Sequence, residues 1–235
     1  MIIHREGASR GHEKAGWLDS RHTFSFGRYY DPAWMGFGPL RVINEDRVAP
    51  GAGFPPHRHA NMEILSYVLS GGLAHRDSSG GGGVIRAGQL QWMSAGHGVE
   101  HSEFNASDTE PVHFLQVWLQ PDRVNAPPAY AQVEPADAPD GNWVLLASPD
   151  GAAGSIAIRQ DARLLRVRLE PAQRVAAALD PARSYWLHVA RGEVESSGRT
   201  MVAGDAAGFR QESLELDLAA AAATGAELLL FDLPG

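Results

Sequence analysis

Residues 51–71 read GAGFPPHRHANMEILSYVLSG. Within them Met62–Leu69 combines alternation with an apolar run, and turn-forming residues bound it, as they bound a short strand. Side chains at i and i+2 of a strand point to one face. His57 and His59 on a strand therefore present two imidazoles to one point. His101-Ser102-Glu103 repeats the spacing further along the chain. If the two strands face each other inside a barrel, three nitrogens and one carboxylate converge.

Strand signals recur on either side. Pro39–Ile43, Val84–Ile85, Leu90–Met93 and Val112–Leu119 are short, apolar and flanked by Gly, Pro, Asp or Ser. Ser155–Ile158, Leu164–Leu169, Tyr185–Val189, Leu214–Leu218 and Glu227–Asp232 continue the pattern in the second half. Ala219–Ala223 is too short to nucleate a helix and reads as a turn. Such short, evenly spaced strands predict an all-β barrel or sandwich. Asp122–Asn142, rich in Pro, Ala and Asp, reads as an extended connection between two halves. The halves share a weak repeat. Tyr67–Gly72 (YVLSGG) followed by Ala87–Gln89 (AGQ) matches His188–Glu193 (HVARGE) followed by Ala203–Asp205 (AGD). Two copies of one barrel unit account for it.

Composition narrows the chemistry. At 235 residues, 44% hydrophobic and 20% charged, the chain can bury a substantial core. The net charge is −8, Lys14 is the only lysine, and no basic run occurs, which argues against direct nucleic-acid binding. There is no cysteine, so disulfides, a thiol nucleophile, iron–sulfur clusters and thiolate-ligated metals are excluded. The N-terminus lacks an apolar signal core and no stretch approaches a membrane span; the expected location is the cytoplasm. No nucleophile elbow, P-loop or dinucleotide fingerprint is present, and Gly80–Gly83 reads as a hairpin tip.

His57, His59, His101 and Glu103 form a donor set suited to Fe, Mn, Co, Ni, Cu or Zn, and ligand type alone does not choose among them. Glu63 is a reserve carboxylate, with hydrogen bonding to a ligand imidazole as its plainer role. His97 reads as a solvated turn residue and His113 as a satisfied interior one. His4, His12, His22, His75 and His188 have no partner at ligand spacing.

At these residues the sequence resembles the cupin superfamily. Gly51-x5-His57-x-His59-x3-Glu63 looks like the first cupin motif, and Gly88-x5-Ser94-x-Gly96 with His101-x3-Asn105 looks like the second. Ser94 stands where proline is usual, and the gap before the histidine is longer. The match narrows to the pirin family on Trp17–Ser20, His22–Phe26, Tyr30–Pro32, Met35–Phe37, Leu40–Asn44, Pro56–Ile64, Gln91–Gly96 through Glu103, and Leu229–Pro234.

The resemblance implies a bicupin, with two β-barrel (double-stranded β-helix, or jelly-roll) domains packed face to face. Residues 1–130 would be the N-terminal metal-binding barrel and 131–235 a degenerate C-terminal barrel without metal. It implies that His57, His59, His101 and Glu103 hold one divalent transition metal, Fe(II) first among those named above. It further implies a quercetinase-like 2,3-dioxygenase that opens a flavonol ring with O2 and releases CO, with Glu103 as catalytic base. The expected partners are a flavonol-like aromatic substrate and O2, for a monomer with no membrane and no direct nucleic-acid contact. The alternative reading is a metal-containing, protein-binding transcriptional or metabolic regulator without catalysis. A third is a dioxygenase or isomerase for another small molecule.

Overall fold

The computed structural model describes residues 1–135 and 140–235. Among these no α-helix occurs, only two single-turn 3₁₀ segments, so the all-β expectation holds. The strands in chain order are β1 (Ile2–Arg5), β2 (Gly11–Ala15), β3 (Leu18–His22), β4 (Leu40–Val48), β5 (Gly53–His59), β6 (Glu63–Ser70), β7 (Gly72–Asp77), β8 (Gly82–Arg86), β9 (Leu90–Ser94), β10 (Val99–Asn105) and β11 (Val112–Leu119). They continue with β12 (Ala129–Val133), β13 (Val144–Ser148), β14 (Ile156–Ala157), β15 (Arg163–Leu169), β16 (Arg174–Ala178), β17 (Arg183–Ser196), β18 (Arg199–Val202), β19 (Ala206–Arg210), β20 (Glu215–Ala220) and β21 (Ala226–Pro234). Among the described residues no helix is long and apolar enough to cross a membrane.

The chain forms two compact units. One comprises Gly11–Pro135 with Ile156–Gln160; the other comprises Met1–Arg10, Ala136–Ser155 and Asp161–Gly235. Strand β1 thus belongs to the second unit, through antiparallel pairing with β19.

The first unit has a sheet ordered β12-β9-β6-β11-β4-β3-β2 and another ordered β5-β10-β7-β8. Val68, Leu73, Ile85, Val112 and Phe114 are buried together at one end of its core; Ile64, Met93, Ala95 and Val99 form another cluster. The stretch expected to be an extended connection contains a strand, since Ala129–Val133 pairs with β9. Backbone pairing to a free sheet edge here overrides a composition poor in strand formers. Part of that stretch, residues 136–139, lies outside the described residues.

In the second unit the sheet runs β1-β19-β17-β21-β15-β13, and the far end of β17 also pairs with β18 and β20, with β16 on β20. Val167, Leu187, Val189, Leu216, Leu218, Leu228 and Leu230 fill its core.

The internal repeat is physical. Gly88 N–H donates to Val68 O at 2.8 Å and Val68 N–H to Gln89 O at 3.2 Å. Gly204 N–H donates to Val189 O at 2.8 Å and Val189 N–H to Asp205 O at 3.0 Å. The aligned residues make the same bond pair in each unit. Gly88 and Gly204, at φ 84° and 92°, take the left-handed conformation that this turn requires.

Candidate metal centre

Strand β5 carries Pro55 and Pro56, which have no N–H to give to a ladder. Its pairing with β10 shifts there: His57 lies opposite His101, but Phe54 lies opposite Glu103. The bulge costs β5 regular pairing and aims His57 and His59 at His101. Gly53 lets the strands meet, because a Cβ there would lie 2.3 Å from the Glu103 carbonyl oxygen.

One nitrogen each of His57, His59 and His101 lies within 4.8 Å of the others, and among the described residues this is the one group of three potential ligands. His57 Nδ1–H donates to Pro55 O at 2.8 Å, which makes Nε2 the nitrogen turned toward the other two rings. His57 Nε2 and His101 Nε2 are 3.0 Å apart. That is the separation of two ligands at right angles on a cation about 2.1 Å from each nitrogen. His59 Nε2 is buried with no hydrogen-bond partner among the described residues. Burial, with His57 nearby, lowers the His59 imidazole to about 4. Burial, followed by His57, His59 and His75, lowers His101 to about 2. All three rings converge, and His59 and His101 are held neutral, as ligation requires. The donor set therefore fits a divalent transition metal.

Glu103 is 2% exposed and spans the two sheets. Its Oε1 accepts from Ser66 Oγ at 2.9 Å and Gln91 Nε2 at 3.1 Å, and its Oε2 from Gln116 Nε2 at 2.9 Å. Burial pushes the carboxyl up to about 7 despite the Ser66 and Gln116 bonds, and Asp46 adds to the rise. Each oxygen of a carboxylate has two lone pairs, so these donors leave acceptor capacity.

Glu63 is turned to other work. It accepts from Trp92 Nε1 at 2.8 Å, Ser94 Oγ at 2.5 Å and Arg159 N–H at 3.0 Å, at zero exposure. His97 is exposed, and His113 bonds Glu45 at 2.9 Å.

A cavity of about 410 Å³ opens from the histidines. His57, His59 and Glu103 line one part of it, Leu18, Phe26, Phe54 and Trp118 its apolar walls, and Ser20, His22, Asn44 and Asp46 a polar side. Phe24 and Phe37, between β3 and β4, are core, at 1% and 2% exposure.

Several of these residues carried no motif. His75, which lacked a partner at ligand spacing, is 4% exposed, stacks on Tyr130 at 4.9 Å and lies 5.3 Å from the His101 ring. Ser66, Gln91 and Gln116 are polar residues inside apolar strand runs. That parity is the one signal that marks them as inward-facing.

Residues 4–119 match the sequence profile of the pirin family, and residues 145–233 that of the quercetinase C-terminal cupin domain. A protein of Escherichia coli K12 named quercetin 2,3-dioxygenase is 42% identical over 234 residues, covering 100% of this chain and 99% of the relative. A pirin-like protein of Caulobacter vibrioides is 40% identical over 92% of this chain and 93% of its own. The crystal structure of the bacterial pirin YhhW in complex with nickel(II), from Escherichia coli, superposes with a TM-score of 0.92 at 40% identity, covering 100% of this chain and 99% of that one. With both halves matched and the two-barrel cupin architecture in place, the chain belongs to the pirin family.

Proposed function

We propose that the protein is a metal-dependent quercetin 2,3-dioxygenase. The observation that carries this reading is the convergence of three histidines, two of them held neutral by burial, at a largely apolar-walled cavity with a buried carboxylate in its wall. The names of the relatives support it.

His57, His59, His101 and Glu103 would hold the metal, with Fe(II) as our choice. When bound, it supplies a Lewis acid that polarises the flavonol 3-hydroxyl. Glu103 accepts the 3-hydroxyl proton. Its Oε2, which takes a single side-chain donor, keeps a lone pair for that proton. Ser66, Gln91 and Gln116 hold its two oxygens in place while the proton moves. Phe26, Phe54 and Trp118 exclude water from the flat face of the substrate. In the overall reaction two bonds of the central ring break, C3 leaves with its oxygen as carbon monoxide, and both atoms of dioxygen stay in the ester product.

The test is oxygen uptake and CO release with quercetin, using protein of measured metal content and His57→Ala as control. Metal-dependent uptake lost in the variant is the expected result. No uptake with Fe(II) bound would overturn the assignment and favour a partner-binding role.

A further inference from the structure

The cavity has a polar side that the chemistry above does not use. In the sheet of β3, β4 and β11, His22 lies opposite Asn44 and Asn44 opposite Gln116. A row of polar side chains therefore leads away from Gln116, a donor to Glu103, and ends at His22. All three line the cavity, as do Ser20 and Asp46. His22 Nε2 bonds Ser20 Oγ at 2.9 Å, and Ser20 Oγ–H donates to Asp46. Asn44 is 4% exposed, and its Oδ1 has no hydrogen-bond partner among the described residues. A buried amide oxygen without a donor is unfavourable by about 1–3 kcal/mol, which marks it as an acceptor awaiting a ligand. Between this side and the histidines the wall is aromatic. Phe26 meets His22 at 5.3 Å and Trp118 at 5.4 Å, and Trp118 meets His59 at 4.9 Å, each edge to face.

We infer that Asn44 and His22, backed by Ser20 and Asp46, form a hydroxyl-recognition subsite that restricts the cavity to polyhydroxylated aromatic substrates. The inference rests on the flavonol reading and deepens it. Neighbouring strands are about 4.8 Å apart, so Asn44 stands about 5 Å and His22 about 10 Å from Gln116. That is the reach from one hydroxyl to another on a neighbouring ring of a fused aromatic system. The remote phenolic O–H donates to Asn44 Oδ1. The Ser20–Asp46 pair fixes His22, so the corner is already polar and ordered before substrate arrives. An analogue without the hydroxyl leaves Asn44 unpaired. Sites of this kind reject such analogues far more strongly than an apolar pocket rejects a missing methylene.

The experiment compares quercetin with 3-hydroxyflavone, which keeps the 3-hydroxyl and lacks the others. Each is titrated into metal-loaded wild type, Asn44→Leu and Asn44→Asp, followed by the flavonol absorbance shift, with metal content measured on each protein. Wild type is expected to prefer quercetin by about tenfold or more. Asn44→Leu is expected to bring the ratio within about twofold, and Asn44→Asp, which keeps an acceptor, to retain the preference. An unchanged ratio in fully metal-loaded Asn44→Leu overturns the subsite, as does equal binding of both flavonols by wild type; either result leaves the dioxygenase reading standing. Binding of neither flavonol by wild type overturns that reading and the subsite with it.

Discussion

Strip the metal and lower the pH, and the histidine centre should weaken the unit that holds it. In the folded chain burial lowers His59 to about 4 and His101 to about 2, against 6.5 for an exposed imidazole. Both shifts are downward, so the unfolded chain binds the extra protons. The stability these rings contribute is fully present above pH 6.5 and is lost as pH falls toward their folded values. From pH 6.5 to 5 each ring that stays neutral loses roughly 1.6 kcal/mol relative to the unfolded chain, or about 3 kcal/mol for the pair. His59 is only half-buried beside an open cavity, so screening cuts the pair to about 1.5–2 kcal/mol. The assay is urea unfolding of chelator-treated protein at the two pH values, wild type beside His101→Gln. Glu103 and Asp46, both raised to about 7 by burial, take up protons in the folded chain over this range and act with the opposite sign in both proteins, so the histidine share is read as the difference between them, about half of that 1.5–2 kcal/mol for the His101 ring. Superimposable pH dependences for wild type and variant would refute the reasoning. Metal added back should stabilise more at pH 7 than at pH 5, since protons compete for the ligand nitrogens.

Three further outcomes are expected. His101→Ala should lower bound metal to well under half of wild type, and His188→Ala, in the second unit, should leave it unchanged; metal analysis of purified protein decides both. Glu63→Ala strands the buried donors of Trp92 and Ser94 and the half-buried N–H of Arg159, and should cost about 2–4 kcal/mol in urea unfolding, with Glu63→Gln much milder. Gln116→Leu removes a donor that favours the charged form of Glu103. The acidic limb of quercetin turnover should then move to higher pH, and a pH–rate profile that does not move would count against Glu103 as the base.

The fold was legible where local pattern and tertiary role agree. Val112–Leu119 is apolar because β11 is central in its sheet, and it was read to the residue. The repeat was legible because its turn glycines are dictated by backbone conformation, which sequence records directly. Ala129–Val133 was not legible as a strand, because what makes it one is the open edge of β9 and not its own side chains. Strand β1 was missed for the same reason, its partner β19 lying near the other end of the chain.

The site divides along the same line. His57/His59 and His101/Glu103 announce themselves as two pairs at i, i+2 spacing, because each pair shares one strand face. What surrounds them does not, since a row such as His22, Asn44, Gln116, Ser66 and Gln91 takes one residue from each of five strands. No spacing rule connects them; only sheet register does. The second unit shows what that row displaces. At the matching register its strands set Leu165 opposite Leu230, Leu230 opposite Leu187 and Leu187 opposite Ala207, all packed into an apolar core. The first unit gives up that apolar filling in the middle of its barrel and holds a buried carboxylate there with side-chain donors. Such a network is tolerable because every donor around Glu103 finds an acceptor. Asn44, next in the same row and left without a donor, is the place where the network is incomplete until a ligand supplies a hydroxyl.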